Sequence, residues 1–349
     1  MNKLETMVRK NIRSLKPYSS ARDEFKGNAD IFLDANENAI GSPTKSQWNR
    51  YPDPRQMDLK LAISKIKKVI PERIFLGNGS DEAIDLLIRA FCEPAIDKII
   101  IMAPTYGMYQ VCADINNVGI ILCPLTPDFN IDIENVLKQT EKTLKMIFVC
   151  SPNNPTANAM RQSDIEHILQ KTDVIVVVDE AYIDFSAKPS LLPLLEKYRN
   201  LVILQTFSKA WGLASLRLGM AFADPYIIKI LTNIKPPYNI SGLTQQMVME
   251  AIQNQASKDR MVNELLVQRD YLMENLSAFK MVERVFPSDT NFILVRFHNA
   301  LPVFNELIKS GIIVRDRSKA LHCENCLRFT VGTKSENRIL IEKLKSLDR

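Results

Sequence analysis

Between residues 74 and 222, short apolar runs recur between longer stretches of mixed polarity, and this alternation constrains the fold more than any other feature of the chain. The runs are Lys98–Met102, Lys145–Cys150, Val174–Val178, Leu201–Gln205 and Leu218–Phe222. In the run that ends just before Asp179, Val-Ile-Val-Val-Val, successive positions are all apolar, so neither face of a strand built from it can meet water. Strands buried on both faces belong to parallel sheets covered by helices. The expected fold class is therefore α/β with a central, mainly parallel sheet, in which ligands sit beyond the carboxyl ends of the strands. Asp179 and Lys209 stand at such places.

After Pro236 and Pro237 the pattern changes. Residues from about 243 to 278 read as one long helix, charged in its later half. Asn291–Phe297 and Cys326–Val331 read as strands around a helix near 302–310, which makes a smaller α+β unit. The chain, at 349 residues, has the length for both. We divide it into an N-terminal arm that forms part of the small domain (1–40), a large domain (41–255) and a small C-terminal domain (256–349). Leu4, Met7, Val8, Ile12 and Leu15 fall at helical spacing, as in a short helix that packs on a neighbour.

Charge excludes some functions. The 45 basic and 40 acidic residues, net +5, are scattered rather than gathered into the basic stripe of a nucleic-acid binder. No stretch approaches the roughly 18 apolar residues of a membrane span, and the N-terminus has no apolar core of a secretory signal, so a cytoplasmic protein is expected. Cys92, Cys112 and Cys150 lie in apolar surroundings suited to reduced thiols. Cys323-x-x-Cys326, beside His322, has neither a second ligand pair nor a thioredoxin-like context, so no metal is expected.

Lys209 lies in Thr206-Phe-Ser208-Lys209-Ala-Trp-Gly212, with Arg217 eight positions on. A solitary lysine is ordinarily a solvated surface residue. Two hydroxyls and an arginine change that reading, because together they suit a phosphate dianion held beside an amine. Such an amine, near cations and partly desolvated, has a depressed pKa and attacks an aldehyde at neutral pH. Asp179 either caps the next helix or sets an ionised carboxylate against a pyridine nitrogen, which keeps that nitrogen protonated. Tyr182 then offers a hydroxyl to the ring's phenolate oxygen. Asn154, in the turn Ser151-Pro-Asn-Asn154-Pro-Thr156 after another strand, is placed to reach the same oxygen. Gly77-Asn78-Gly79-Ser80-Asp81-Glu82 enters a helix with exposed N–H groups for a phosphate, without the Gly-Lys-Ser/Thr of a Walker loop. Tyr106 follows a further strand, where it can stack on a flat ring.

These segments, in this order from Tyr18 to Gly332, resemble the fold-type I enzymes that use pyridoxal 5'-phosphate (PLP), and more closely the histidinol-phosphate aminotransferases. The resemblance implies a large domain with the parallel sheet and a smaller α+β domain. It makes Lys209 the Schiff-base lysine, pairs Asp179 with the pyridine nitrogen, gives the phenolate oxygen to Tyr182 and Asn154, and stacks Tyr106 on the ring. Gly79, Ser80, Asp81, Thr206, Ser208 and Arg217 would form the phosphate side of the cofactor site. Arg328, in Cys326-Leu-Arg328-Phe, would grip a substrate carboxylate or meet the substrate phosphate, and Arg315, in Val314-Arg315-Asp-Arg317, would be a second ligand for that phosphate. Tyr18 and Tyr51 match residues that close over the substrate, Tyr51 from the partner of a homodimer, and Asn36 lies in a further matching segment.

The implied reaction converts L-histidinol phosphate and 2-oxoglutarate to imidazole-acetol phosphate and glutamate, in histidine biosynthesis. A threonine-phosphate decarboxylase-like lyase would share nearly all of these residues. An aromatic-amino-acid aminotransferase and a non-catalytic PLP-binding protein also stay open at the level of sequence. One position departs from the family turn Asn-Pro-Thr-Gly: this chain has Ala157. Alanine resists the positive φ that glycine accepts, so either the turn differs or Asn158 takes that conformation.

Overall fold

The protein is described by a computed structural model for residues 3–18 and 30–348. Its larger sheet has seven strands: β1 (Ile74–Asn78), β2 (Lys98–Ile101), β3 (Gly119–Leu122), β4 (Leu144–Cys150), β5 (Ile175–Asp179), β6 (Leu201–Thr206) and β7 (Leu218–Ala223). Their order is β1-β7-β6-β5-β4-β2-β3, and only β7 runs against the rest. Each apolar run noted in the sequence is a strand. β1 and β3 are not among those runs; β3, half-exposed at the sheet edge, is nonetheless apolar through Ile120, Ile121 and Leu122.

Side chains alternate across the sheet, and the two core clusters record it. Ile147, Val149, Val176, Val178 and Ile203 belong to one cluster, whereas Met146, Phe148, Val177, Val202 and Leu204 belong to the other. β7 reads Leu-Gly-Met-Ala-Phe-Ala, large residues on one face and small on the other. The helix Gly79–Phe91 packs on β7, and the small residues Ala221 and Ala223 lie in the cluster that holds its buried face.

The second sheet is antiparallel, in the order β10-β11-β9-β8, with β8 (Val282–Val285), β9 (Phe292–Phe297), β10 (Arg315–Asp316) and β11 (Cys326–Thr330). Helices Gln255–Ser277, Ala300–Lys309 and Lys334–Leu347 supply the rest of its core, including Leu276, Leu307 and Leu344. The last begins at a capping box between Thr333 and Glu336. The long helix expected from about 243 to 278 is two helices, Gly242–Gln253 and Gln255–Ser277, interrupted at Asn254. The apolar periodicity crosses that break, so only the backbone reveals it.

The N-terminal apolar pattern forms two short helices, Lys3–Met7 and Lys10–Arg13. Leu4 and Val8 are buried with Phe91 and Ile228 of the large-sheet core, and the Arg9 N–H donates to the Ala90 carbonyl at 3.0 Å. Leu15, the last residue of the pattern, is exposed. Among the described residues no helix is long and apolar enough to cross a membrane.

Candidate active site

All strands of the larger sheet except β7 point one way, so the ends of β1, β4, β5 and β6 open on one edge, where β7 begins. A cavity lies there, lined by Gly79, Ser80 and Asp81 after β1, Tyr106 after β2, Asn154 after β4, and Asp179 and Tyr182 at and after β5. Thr206, Ser208, Lys209 and Arg217 complete it. All eleven residues assigned to the cofactor from sequence are thus brought together.

Asp179 is buried, with Oδ2 accepting from the Tyr109 hydroxyl at 2.7 Å and Oδ1 from the Ala181 N–H at 3.0 Å. Tyr109 is itself fully buried and stacks on Phe148 at 4.7 Å. Burial raises the Asp179 pKa to about 6, against the lowering effect of those two donors. The next carboxylate, Glu180, is sent to the opposite face by strand alternation, where Ser190, Leu191 and Gln205 satisfy it. Of the two adjacent acids, only Asp179 meets the cavity. Tyr109 was missed in the sequence because nothing in Tyr106-Gly-Met-Tyr109 marks it as the inward ring; its place on the helix Met108–Ile115 decides that.

Lys209 opens on the cavity, its Nζ 5.5 Å from the centre of the Tyr182 ring. Its pKa is lowered, first by desolvation and then by Arg328, with Arg217 adding to the effect and Asp179 opposing it. Burial raises that of the Tyr182 hydroxyl, so the phenol stays protonated and able to donate. Arg217 reaches Ser208 Oγ from Nη1 at 3.5 Å and Asp81 Oδ2 from Nη2 at 3.5 Å. Asp81 also accepts from the Tyr106 hydroxyl at 3.1 Å, so this carboxylate positions an arginine and an aromatic ring. The Gly79 N–H is taken by the Arg217 carbonyl, and Gly79 sits at φ +72, where a Cβ would lie 2.6 Å from Arg217 Nη2. Its contribution is the absence of a side chain. The Thr206 hydroxyl bonds Leu218 and Ser208 within the turn, which leaves Ser80, Ser208 and Arg217 as the open donors.

Asn154 Oδ1 accepts from Arg328 Nη1, which orients the amide so that its Nδ2 hydrogens remain for the cavity. This bond joins the two sheets. The Asn154–Pro155 peptide is cis, and Ala157 itself adopts φ +70. The expectation of an altered turn, or of Asn158 in the left-handed region, is thereby corrected. Ala157 N–H donates to the Asn153 carbonyl at 2.8 Å and its carbonyl accepts from Asp289 N–H at 2.7 Å; these bonds offset the roughly 1–2 kcal/mol that an L-residue loses there.

Arg315 and Arg328 are directly paired across β10 and β11; Arg328 is half-buried and Arg315 exposed. None of the five residues assigned to the substrate, Tyr18, Asn36, Tyr51, Arg315 and Arg328, is among the cavity's lining residues, although Arg328 touches that lining through its bond to Asn154. Tyr18, 72% exposed, borders a groove with Arg55 and Lys60, while Asn36 and Tyr51 line another with Trp48 and Tyr238. Tyr51 stacks on Tyr238 at 4.5 Å and keeps half its surface exposed.

Residues 25–344 match the family described as Aminotransferase class I and II. The chain belongs to that family. This aminotransferase is 53% identical over 343 residues to the histidinol-phosphate aminotransferase of Cytophaga hutchinsonii, a match covering 98% of this chain and 99% of the other. Among solved structures, the histidinol-phosphate aminotransferase of Clostridium acetobutylicum has a TM-score of 0.80 at 22% identity, over 86% of this chain and 91% of that one. The L-threonine-O-3-phosphate decarboxylase of Porphyromonas gingivalis has a TM-score of 0.72 at 20% identity, over 85% and 93%. The fold is therefore shared by a transaminase and a lyase, and does not choose between them. PLP is the cofactor of this aminotransferase. The donor set fits it: a buried carboxylate for a ring cation, a hydroxyl and an amide for a ring oxygen, an amine for an aldehyde, and hydroxyls with an arginine for a phosphate.

Proposed function

We propose that this aminotransferase moves the amino group of L-histidinol phosphate to 2-oxoglutarate, giving imidazole-acetol phosphate and glutamate in histidine biosynthesis. The observation that carries the proposal is the 53% identity, across both full lengths, to a histidinol-phosphate aminotransferase.

Bound PLP supplies an aldehyde carbon that condenses with amines and a ring that accepts the electron pair released at the substrate α-carbon. The chain's residues do the rest. Ser80, Ser208 and Arg217 hold the cofactor phosphate, and Asp179 keeps the proton on the pyridine nitrogen. Tyr182 and Asn154 donate to the phenolate oxygen. Lys209, held below its ordinary pKa by desolvation and by Arg328, takes the proton from the substrate α-carbon and returns it at the former aldehyde carbon. Arg328 grips the carboxylate of glutamate or 2-oxoglutarate, and Arg315 the phosphate of histidinol phosphate. In this assignment the large domain (41–255), on whose core the N-terminal helices pack, carries the cofactor groups, and the small domain (256–349) the substrate arginines.

The working unit in this proposal is a homodimer. Ile31, Leu33, Ile40, Trp48, Tyr51 and Leu243 are exposed apolar residues, a concentration suited to cover by a second copy. Tyr51 would then enter the partner's site, with Tyr18 and Asn36 in the segments that close it. A cytoplasmic location accords with a biosynthetic reaction on diffusible substrates.

The deciding experiment assays the PLP-loaded protein with histidinol phosphate, threonine phosphate and phenylalanine, each with and without 2-oxoglutarate. Glutamate formation is expected with histidinol phosphate. Carbon dioxide release from threonine phosphate in the absence of a keto acid would replace this reading with the lyase.

A further inference from the structure

β10 and the residue after it carry Arg315, Asp316 and Arg317, and strand alternation puts Arg315 and Arg317 on the same face. Directly across, on β11, stands Arg328. Like charges placed opposite one another destabilise a sheet, so this face carries a cost that the fold does not explain. Asp316, between the two arginines, faces the other way and accepts from the Ser318 N–H at 2.8 Å.

Arg317 stands out within the group. It is half-buried, whereas Arg315 is exposed. Its Nε, like that of Arg328, is buried without a partner; but whereas Arg328 donates from Nη1 to Asn154, the Arg317 guanidinium makes no hydrogen bond or ion pair among the described residues. Its backbone is fixed, with the N–H donating to the Cys326 carbonyl at 2.9 Å. The charges it feels are Arg328 first and Arg315 next, both cations, with Cys323 and Tyr182 after them. Arg328, opposite Arg315 on this face, donates from Nη1 to Asn154 of the cavity lining, so the face that carries Arg317 is the one turned toward the cavity. A half-buried cation beside other cations, with no carboxylate partner among the described residues, is stabilised when an anion joins it.

We propose that Arg317 is a substrate-binding residue that, with Arg315, grips the phosphate dianion of the substrate. The proposal rests on histidinol phosphate being the substrate and names a residue to which the proposed function gives no role. A phosphate monoester brings up to two negative charges and three acceptor oxygens, which suits two guanidinium forks better than one. Arg328 is engaged with Asn154 and remains available for the carboxylate of the second substrate. The cofactor phosphate is held elsewhere, at Ser80, Ser208 and Arg217, so the two phosphates are separately provided for.

The test uses PLP-loaded enzyme. The half-reaction without keto acid, followed by the cofactor's visible absorbance, is compared for histidinol phosphate and histidinol. Binding of glycerol phosphate, which has the phosphate and no amine, is measured by calorimetry. In Arg317→Gln, the preference for histidinol phosphate over histidinol and the affinity for glycerol phosphate should each fall by about 10- to 100-fold, with PLP content unchanged. Arg317→Lys should recover part of both, and it replaces the glutamine variant if the latter does not fold. Unaltered glycerol phosphate binding, equal losses for histidinol and histidinol phosphate, or a loss of PLP would each overturn the role of Arg317. A wild-type enzyme that does not prefer histidinol phosphate to histidinol would instead overturn the substrate reading itself.

Discussion

The hydroxyl of Tyr109 donates to Oδ2 of Asp179 at 2.7 Å, linking a buried ring on one helix to the carboxylate at the end of β5. A donor to a carboxylate favours its charged form. Tyr109→Phe removes that donor and little else, because the ring can still stack on Phe148. The Asp179 pKa should rise, so the acid limb of the half-reaction's kcat/KM profile should move to higher pH by about one unit. A profile superimposable on that of the wild type would show that the bond does not tune Asp179.

The same carboxylate makes the apoenzyme's stability depend on pH. Its folded pKa, about 6, lies above the ordinary 3.8, so the native state binds more protons than the unfolded chain between those values. Stability from this group is therefore fully present below the unfolded pKa and is lost as pH rises through about 6. Two units correspond to about 3 kcal/mol. Apoenzyme Tm should fall between pH 4.5 and 7 by more than in Asp179→Asn, and PLP should stabilise more at pH 7.5 than at pH 5. Equal slopes in the wild type and Asp179→Asn would refute the assignment.

Gly219 on β7 lies where a Cβ would come 2.2 Å from the carbonyl carbon of Gly79 and the nitrogen of Ser80. Both are backbone atoms, so the strand or the phosphate-side turn must shift. Gly219→Ala should lower stability by about 1–3 kcal/mol and weaken PLP binding by roughly 10-fold, read by thermal melting and by titration of the apoenzyme. An unchanged PLP affinity would mean that the turn moves without cost.

Lys209→Ala should still bind PLP but lose nearly all turnover, and borohydride treatment of the wild type should leave the phosphopyridoxyl group on the peptide containing Lys209. Mapping of that label to another lysine would remove Lys209 from the reaction.

If Tyr51 completes the neighbouring site, Lys209→Ala chains mixed with Tyr51→Ala chains should regain activity, because one site of each mixed dimer then has both groups intact. Complementation is measured after verified subunit exchange. Absence of any recovery counts against a shared site.

Much of this was legible in the sequence because chemistry and strand ends coincide along the chain. The run before Asp179 can only be a doubly buried strand, and it delivers the carboxylate to the sheet edge. Thr206, Ser208, Lys209 and Arg217 sit within one strand–turn–strand unit, so local spacing alone brings them together. Tertiary structure decided what depends on contacts between distant segments. The Asn154–Arg328 bond spans 174 residues and two sheets, and the approach of Gly219 to Gly79 needs β7 to pair with β1 in reverse. The Tyr109–Asp179 pair depends on the packing of the helix Met108–Ile115 against the larger sheet, which turns Tyr109 inward. The left-handed conformation of Ala157 is held by its N–H bond to the Asn153 carbonyl and by the bond its carbonyl accepts from the Asp289 N–H, against alanine's own preference. Local sequence fixes which groups a strand or turn presents, because backbone sterics and burial act over a few residues. Which presented groups meet is settled only when the packed core brings remote segments within hydrogen-bonding distance.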